Sequence, residues 1–162
     1  MPRHVTDIKL QLDMMKAAGF SGCVASSDAT HVPIINCRFG LKQSHLGWKL
    51  STTARTYNIS VTGTRRILSS TGGHPSRWND KSIVMFDDFL TSVKDGNILD
   101  DVTFTLYEYD SNRNIIKRNY SGAWVLVDNG YHSWSTMICP YKLDTSIQNI
   151  RWSQWVSSYF QF

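Results

Sequence analysis

The sequence predicts an α/β protein, and three observations lead to that prediction. Segments with apolar residues at helical spacing alternate along the chain with short β-branched and aromatic runs. The length of 162 residues is enough for one hydrophobic core and short for two domains of ordinary size. The apolar fraction of 41% is typical of a folded protein. We therefore expect a single domain over residues 1–162, with a leading helix in 1–18, a core in 22–142 and a final helix region in 143–162.

The first elements are a helix and then extended chain. Apolar residues recur at helical spacing over Thr6–Ala18, and Gly19 follows as a stop signal. The small, partly apolar segment Gly22–Ser27 predicts a strand that ends at Asp28. After a tight excursion, the β-branched run Val32–Ile35 predicts a second extended segment.

The middle of the chain predicts two strands and a helix. Phe39–Ser51 has no clean period, and we interpret it as a loop. Ala54–Thr62 alternates with period two, and Arg66–Ser70 continues the strand signal after a short turn. Ser82–Val93 carries apolar residues at helical spacing, with a cap expected near Asp80.

The last third predicts a hairpin, a buried strand and a final helix. Val102–Tyr109 and Asn114–Tyr120 are rich in β-formers and are joined by turn residues, which is typical of a hairpin. Ala123–Val127 is the most apolar run, and we expect a buried strand there. The final helix is expected to begin in Ile147–Phe160.

The charge and cysteine content exclude some classes of protein. A net charge of +4 and a pI near 9.0 favour a polyanionic partner only weakly. An odd number of cysteines without a Cys-x-x-Cys pair argues against a disulfide framework and a zinc ribbon. These cysteines are Cys23, Cys37 and Cys139. With no long apolar segment, we expect an intracellular protein that does not bind membranes.

Asp28 and Asp128 are the candidate catalytic residues. Each follows a predicted strand, so the two carboxylates converge if those strands are neighbours in one sheet. Two divalent ions about 3.5–4 Å apart, held by carboxylates, can activate the attacking oxygen and stabilise the leaving oxygen of a phosphodiester. Aspartate is also a preferred turn residue, so spacing alone leaves an ordinary structural role open for both.

Three segments in order carry a resemblance to a known family. They are Gly19–Gly22 with Ser27–Val32, Gly73–Lys81, and Val127–Tyr131. Together they resemble segments of the PIF/Harbinger-type DDE transposases, a group that includes the plant transposon protein and DDE superfamily endonuclease domains.

The resemblance implies a ribonuclease-H-like mixed sheet flanked by helices. It also implies that Asp28 and Asp128 are metal ligands for Mg²⁺ or Mn²⁺ in metal-dependent DNA cleavage and strand transfer. The family's third carboxylate is a downstream glutamate on a helix, whereas the one glutamate here, Glu108, precedes Asp128. The resemblance ends near Arg151–Trp155. We therefore expect a truncated final helix, an uncovered apolar patch beside Val125 and little activity from this chain alone.

Partners follow from the same resemblance. We expect DNA, either transposon ends or target, together with a DNA-binding partner protein, because no helix-turn-helix is recognisable in the chain. The expected location is the nucleus. The alternative is a non-catalytic descendant that binds DNA or another protein through the retained fold.

Two further residues are possible auxiliaries of the site. Asp80 is placed to add another carboxylate, but it also stands where a helix cap belongs. His31 is three residues past Asp28 and could contact phosphate or orient that carboxylate, although a hydrogen-bonded structural histidine is the more common outcome.

Basic and aromatic side chains are candidates for DNA contact. Four basic residues around the third strand could neutralise phosphates or form a solvated surface: Arg65, Arg66, Arg77 and Lys81. Five tryptophans could stack on extruded bases, but large aromatics in a small domain are more often core: Trp78, Trp124, Trp134, Trp152 and Trp155.

Overall fold

The computed structural model describes residues 5–47, 51–141 and 146–158. Within them, a mixed sheet is flanked by helices, which confirms the expected α/β class. The elements in chain order are α1 (Val5–Ala17), β1 (Cys23–Pro33), a 3-10 turn (Phe39–Leu41), α2 (Lys42–His45), β2 (Ala54–Val61), β3 (Ile67–Ser70), β4 (His74–Pro75), α3 (Asp80–Val84), α4 (Asp88–Lys94), β5 (Thr103–Tyr109), β6 (Ile115–Ser121), β7 (Trp124–Val127), β8 (Met137–Ile138) and α5 (Ile147–Ser158). No helix among these is long and apolar enough to cross a membrane.

The main sheet has the strand order β3-β2-β1-β7-β8, with β4 paired to β2. β1 is central: it runs antiparallel to β2 and parallel to β7, and β7 is parallel to β8. β5 and β6 form a separate antiparallel hairpin. The strand order brings the first strand of the chain next to one that begins about a hundred residues later.

Helices cover both faces of the central strands. Side chains alternate between the two faces of a strand, so neighbouring residues belong to different cores. On one face, Val125 and Val127 pack with apolar residues of α3 and α4. On the other face, Leu126 packs with Met15 of α1 and Val156 of α5. This two-sided burial explains why β7 is apolar at every position.

The sequence predictions are confirmed in three regions: the helix α1, the strands β2 and β3, and the β5–β6 hairpin. The prediction of a tight excursion after Asp28 is wrong, because β1 continues unbroken to Pro33. Eight consecutive residue pairs with β2 hold it extended. Beyond Ser27, β1 pairs with β2 and no longer with β7, so Pro33 lies where the strand has a free edge and proline is tolerated.

The single helix predicted over Ser82–Val93 is in fact two short helices. Asp87, between α3 and α4, accepts hydrogen bonds from the backbone N–H groups of Phe89 and Leu90, and so begins a new helix. The prediction that Asp80 caps this helix is also wrong. Asn79 caps α3 by accepting from Ser82, and Asp80 lies in the first turn.

The uncovered patch expected beside Val125 does not exist in the described structure. Val125 and Val127 are each 1% exposed, because α3, α4 and Tyr131 cover them. The described part of α5 also forms a regular helix of 12 residues whose Val156 is fully buried.

The buried thiol of Cys23 makes the stability of the fold depend on pH. Burial raises its pKa from the usual 9.0 to about 12. Above pH 9 the unfolded thiol loses its proton while the folded one keeps it, so stability is lost as pH rises. We expect the free energy of unfolding to fall by about 1.4 kcal/mol between about pH 8 and about pH 10 from this group.

Urea titrations at a series of pH values measure this effect. Cys23→Ala should flatten the pH dependence in that window, whereas Cys139→Ala, at an exposed position, should leave the slope unchanged. Equal slopes for the wild-type chain and Cys23→Ala would contradict the assignment.

Candidate metal site at the edge of the sheet

Asp28 and Asp128 each follow one member of a residue pair on neighbouring parallel strands. Ser27 of β1 pairs with Val127 of β7; Asp28 is the next residue of β1, and Asp128 is the first residue after β7. Adjacent strands are about 4.8 Å apart, so the two aspartates leave this pair from neighbouring backbone positions. Both side chains are partly exposed. The condition for convergence, that the two strands are neighbours, is thus met.

Asp80 lies against Asp128 across Gly130. A Cβ atom built on Gly130 would be 2.5 Å from Oδ2 of Asp80 and 2.9 Å from Oδ1 of Asp128. Any side chain at position 130 would therefore displace one of these carboxylates. We call the three aspartates Asp28, Asp80 and Asp128 the acidic edge.

Two backbone amides hold the strand aspartates in place. The N–H of Ala29 donates to Oδ1 of Asp28 at 2.7 Å, and the N–H of Gly130 donates to Oδ1 of Asp128 at 2.7 Å. Such bonds to a charged acceptor are stronger than neutral ones, so they fix the orientation of both carboxylates.

Tyr131 reports the electrostatic field of the acidic edge. Its hydroxyl is buried, and burial raises its pKa well above the usual value. The negative charges of Asp28, Asp80 and Asp128 raise that pKa further. All three carboxylates are therefore within electrostatic range of one hydroxyl, and Tyr131 stays protonated there as a hydrogen-bond donor.

A buried polar network lies beneath the acidic edge. The Tyr131 hydroxyl donates to Oδ1 of Asn58. Nδ2 of Asn58 donates to Oδ2 of Asp87 at 2.5 Å and to the Ser27 hydroxyl at 3.0 Å, and Ser60 donates to that same hydroxyl. Except for Tyr131, at 5%, these residues are at most 1% exposed. The network ties β1, β2, α4 and the loop after β7 together, and so it stiffens the site.

The acidic edge has the donor chemistry that suits Mg²⁺ or Mn²⁺. These ions take oxygen ligands, usually one or two carboxylates with waters and substrate phosphates. In the described part of the chain, no three side chains of the His, Cys, Asp and Glu types are grouped closely enough to hold one ion. Asp28 and Asp128 supply two carboxylates of the type that these ions accept, at the ends of neighbouring strand segments.

His31 is held away from Asp28. Its Nδ1 shares a 2.7 Å hydrogen bond with the Thr56 hydroxyl on the adjacent strand. Since it is three residues beyond Asp28, it lies on the opposite face of β1. Its Nε2 is buried and has no hydrogen-bond partner among the described residues. The geometry favours the structural interpretation of this histidine.

The four basic candidates separate into two pairs. Arg65 and Arg66 lie in the turn after β2, next to α1, at the end of the sheet where β1 begins. Arg77 and Lys81 follow β4, which pairs with the part of β2 opposite the second half of β1. All four are exposed. The two pairs therefore lie at opposite ends of the β1–β2 pairing, and Lys81 directly follows Asp80 of the acidic edge.

The five tryptophans also differ in their environments. Trp124 is buried and stacks edge-on with Phe20, while Trp152 packs partly buried on the same core. Trp134 stacks on His132 and has the Lys94 ammonium 5.0 Å from its ring centre. Trp78 and Trp155 remain 39% and 52% exposed.

Sequence reasoning did not find the roles of Tyr131, Asn58 and Asp87. Tyr131 was visible only as part of the Gly-Tyr pair after Asp128. Thr56, Asn58 and Ser60 are alternate residues of β2, and their polar side chains are buried. The side chains between them, Tyr57 and Ile59, are only partly buried. Polar residues with a period of two in a strand are the signal that would have suggested a buried network.

Comparisons of the chain with protein-family models, with curated proteins and with solved structures found no match.

Proposed function

We propose that this chain is the catalytic-domain region of a DDE-type DNA transposase or endonuclease, of the kind found in Harbinger-like elements. One observation carries the proposal: Asp28 and Asp128, far apart in sequence, each directly follow a member of the Ser27–Val127 pair on the neighbouring parallel strands β1 and β7. The resemblance requires the two carboxylates to converge, and the register of β1 with β7 is compatible with that requirement.

The arrangement of the sheet supports a ribonuclease-H-like fold. Such a fold has its first carboxylate on the first strand and its second just after the fourth. Here Asp28 is on β1, and Asp128 follows β7, which is the fourth long strand of the main sheet when two-residue β4 is set aside. The β5–β6 hairpin is then an addition between the helices α3 and α4 and the fourth strand.

The residues of the site have separate tasks in this proposal. Bound Mg²⁺ or Mn²⁺ supplies a Lewis acid for the phosphodiester and lowers the pKa of a bound water. Asp28 and Asp128 hold the ion, and the amides of Ala29 and Gly130 orient them. Tyr131 keeps its proton and links the site to the buried network through Asn58.

The third carboxylate of the family's site has no direct counterpart among the described residues. The described residues of α5 include no acidic side chain. Glu108 is in the β5–β6 hairpin, where it accepts from Tyr120 and pairs with Arg118 at 3.4 Å. Asp80 is the nearest additional carboxylate, and it comes from α3 instead of a downstream helix. We therefore expect slow cleavage by this chain, since loss of one ligand costs orders of magnitude in rate.

The second candidate function is binding of DNA or protein without catalysis. The observation that favours it is the lack of a three-ligand group among the described residues. In either case the proposed partners are DNA of transposon ends or target and a DNA-binding partner protein, and the proposed location is the nucleus.

A nicking assay on supercoiled DNA tests the proposal. The chain, Asp28→Ala and Asp128→Ala are incubated with Mg²⁺ or Mn²⁺, with EDTA as the metal-free arm. Slow, metal-dependent nicking that both substitutions abolish would support the enzyme. DNA binding without nicking in any arm would support the second candidate. Neither binding nor nicking would contradict both the enzyme and the DNA-binding form of the second candidate.

A further inference from the structure

Three aromatic rings form a cluster beside α3, in which His74 and Trp78 are stacked and Phe86 is tilted against both. The ring centres of His74 and Trp78 are 5.3 Å apart with planes at 22°, and Phe86 lies 5.5 Å from His74 and 5.4 Å from Trp78. Trp78 is 39% exposed and Phe86 is 58% exposed. The cluster therefore presents aromatic surface to solvent instead of filling a core. We call these three residues the aromatic cluster.

Two exposed cations lie beside the aromatic cluster. The carboxylates Asp80 and Asp88 also lie within two residues of Trp78 and Phe86, respectively. Arg77 precedes Trp78, and Lys81 is three residues beyond it; both are exposed. Burial lowers the pKa of His74, so its ring is neutral at neutral pH and stacks without a charge. Cationic side chains beside an aromatic surface complement an anionic ligand that carries flat rings. An apolar peptide would pack on the rings but would offer no anionic group to the two cations.

The aromatic cluster is close to the acidic edge. Trp78 and Asp80 are separated by one residue, so their Cα atoms are at most about 7 Å apart. Asp80 in turn lies against Gly130 and Asp128. A ligand held on the Trp78 ring therefore has its neighbouring groups near the carboxylates.

We propose that Trp78 and Phe86 bind an unpaired base of a DNA strand by stacking, while Arg77 and Lys81 contact its phosphates. The inference rests on the proposed function, because it assigns the same site a substrate with an unpaired nucleotide beside the bond to be cut. An exposed aromatic face accepts any base, so the preference is for single-stranded over duplex DNA and depends little on sequence.

Binding of labelled oligodeoxynucleotides in EDTA tests this inference without cleavage. The probes are a single strand, the same strand with abasic sites, and the duplex. The chain should bind the single strand better than either other probe. Trp78→Ala should weaken single-strand binding about tenfold and leave abasic binding unchanged. Trp78→Phe should restore most of the difference, which also guards against a folding defect in the alanine variant.

Control variants separate stacking from general affinity. Tyr107→Ala removes an aromatic side chain that is 73% exposed on the hairpin, and it should change nothing. Arg77→Ala should weaken all three probes, whereas Arg65→Ala, at the other end of the sheet, should weaken none.

The outcomes also distinguish this inference from the proposed function. Two results would overturn stacking whether or not the chain cuts DNA. One is equal binding of the single-stranded and abasic probes by the wild-type chain, and the other is wild-type affinity of Trp78→Ala for both probes. Base-dependent binding with no metal-dependent nicking would retain the stacking site and reject the enzyme.

Discussion

Asp128→Asn is expected to weaken binding of Mn²⁺ at least tenfold while leaving the fold intact. The substitution removes one of the two carboxylates on adjoining strands, and a neutral amide oxygen is a poorer ligand for a hard cation. The fold is retained because Oδ1 of asparagine can still accept from the N–H of Gly130, as Asp128 does at 2.7 Å. Isothermal titration calorimetry measures the change, and tenfold corresponds to about 1.4 kcal/mol.

Asp101→Asn is the matched control for this experiment. Asp101 is an exposed carboxylate in the turn before β5, so its substitution changes the net charge equally without touching the acidic edge. It should leave the affinity for Mn²⁺ unchanged. Unchanged affinity in Asp128→Asn, or an equal loss in both variants, would mean that Asp128 is not a ligand.

Asp87→Ala is expected to destabilise the fold by about 3 kcal/mol. Asp87 is 1% exposed and caps α4 through the amides of Phe89 and Leu90, each at 3.0 Å. It also accepts from Asn58, whose amide would lose this buried partner. Loss of a cap and of a partner for a buried donor each cost on the order of 1–2 kcal/mol. Urea denaturation at neutral pH measures the sum.

The adjacent Asp88 offers a control for the Asp87 experiment. Asp88 is exposed in the first turn of α4, so Asp88→Ala should cost no more than about 0.5 kcal/mol. Asp87→Asn should be intermediate, because it keeps an oxygen acceptor for the helix amides. A loss in Asp87→Ala as small as that in Asp88→Ala would show that the network adds little to stability.

Local patterns predicted most of the elements. The hairpin followed from two β-rich arms around Asp110-Ser111-Asn112, and α1 followed from its apolar spacing and Gly19, whose φ is +91°. Both depend on residues close together in the chain. The continuity of β1 through Asp28 could not be predicted this way, because it comes from pairing with β2.

Tertiary contacts decided what the patterns left open. The break between α3 and α4 depends on Asp87, whose burial against Asn58 is invisible in the sequence around it. The inner face of β2 carries Thr56, Asn58 and Ser60, so the usual rule that apolar residues face inward fails there. Both exceptions belong to the buried network, where polar groups satisfy one another instead of being excluded.

The candidate site was predicted in part. Asp28 and Asp128 came from a resemblance, and Asp80 was predicted as a possible auxiliary carboxylate, with a helix cap as the alternative. Its contact with Gly130 depends on how α3 meets the loop after β7, which no local pattern encodes. The division of the basic residues between the two ends of the sheet likewise follows from strand pairing alone.

Paramagnetic broadening of backbone amide resonances by Mn²⁺ tests the central claim most directly, because it locates the ion without requiring catalysis. If the acidic edge binds the ion, substoichiometric Mn²⁺ should first broaden the amides of Ala29, Lys81 and Gly130, and Asp128→Asn should remove the effect. Broadening that is centred on other exposed carboxylates, such as Asp100 and Asp101, or that is uniform over the chain, would contradict the account.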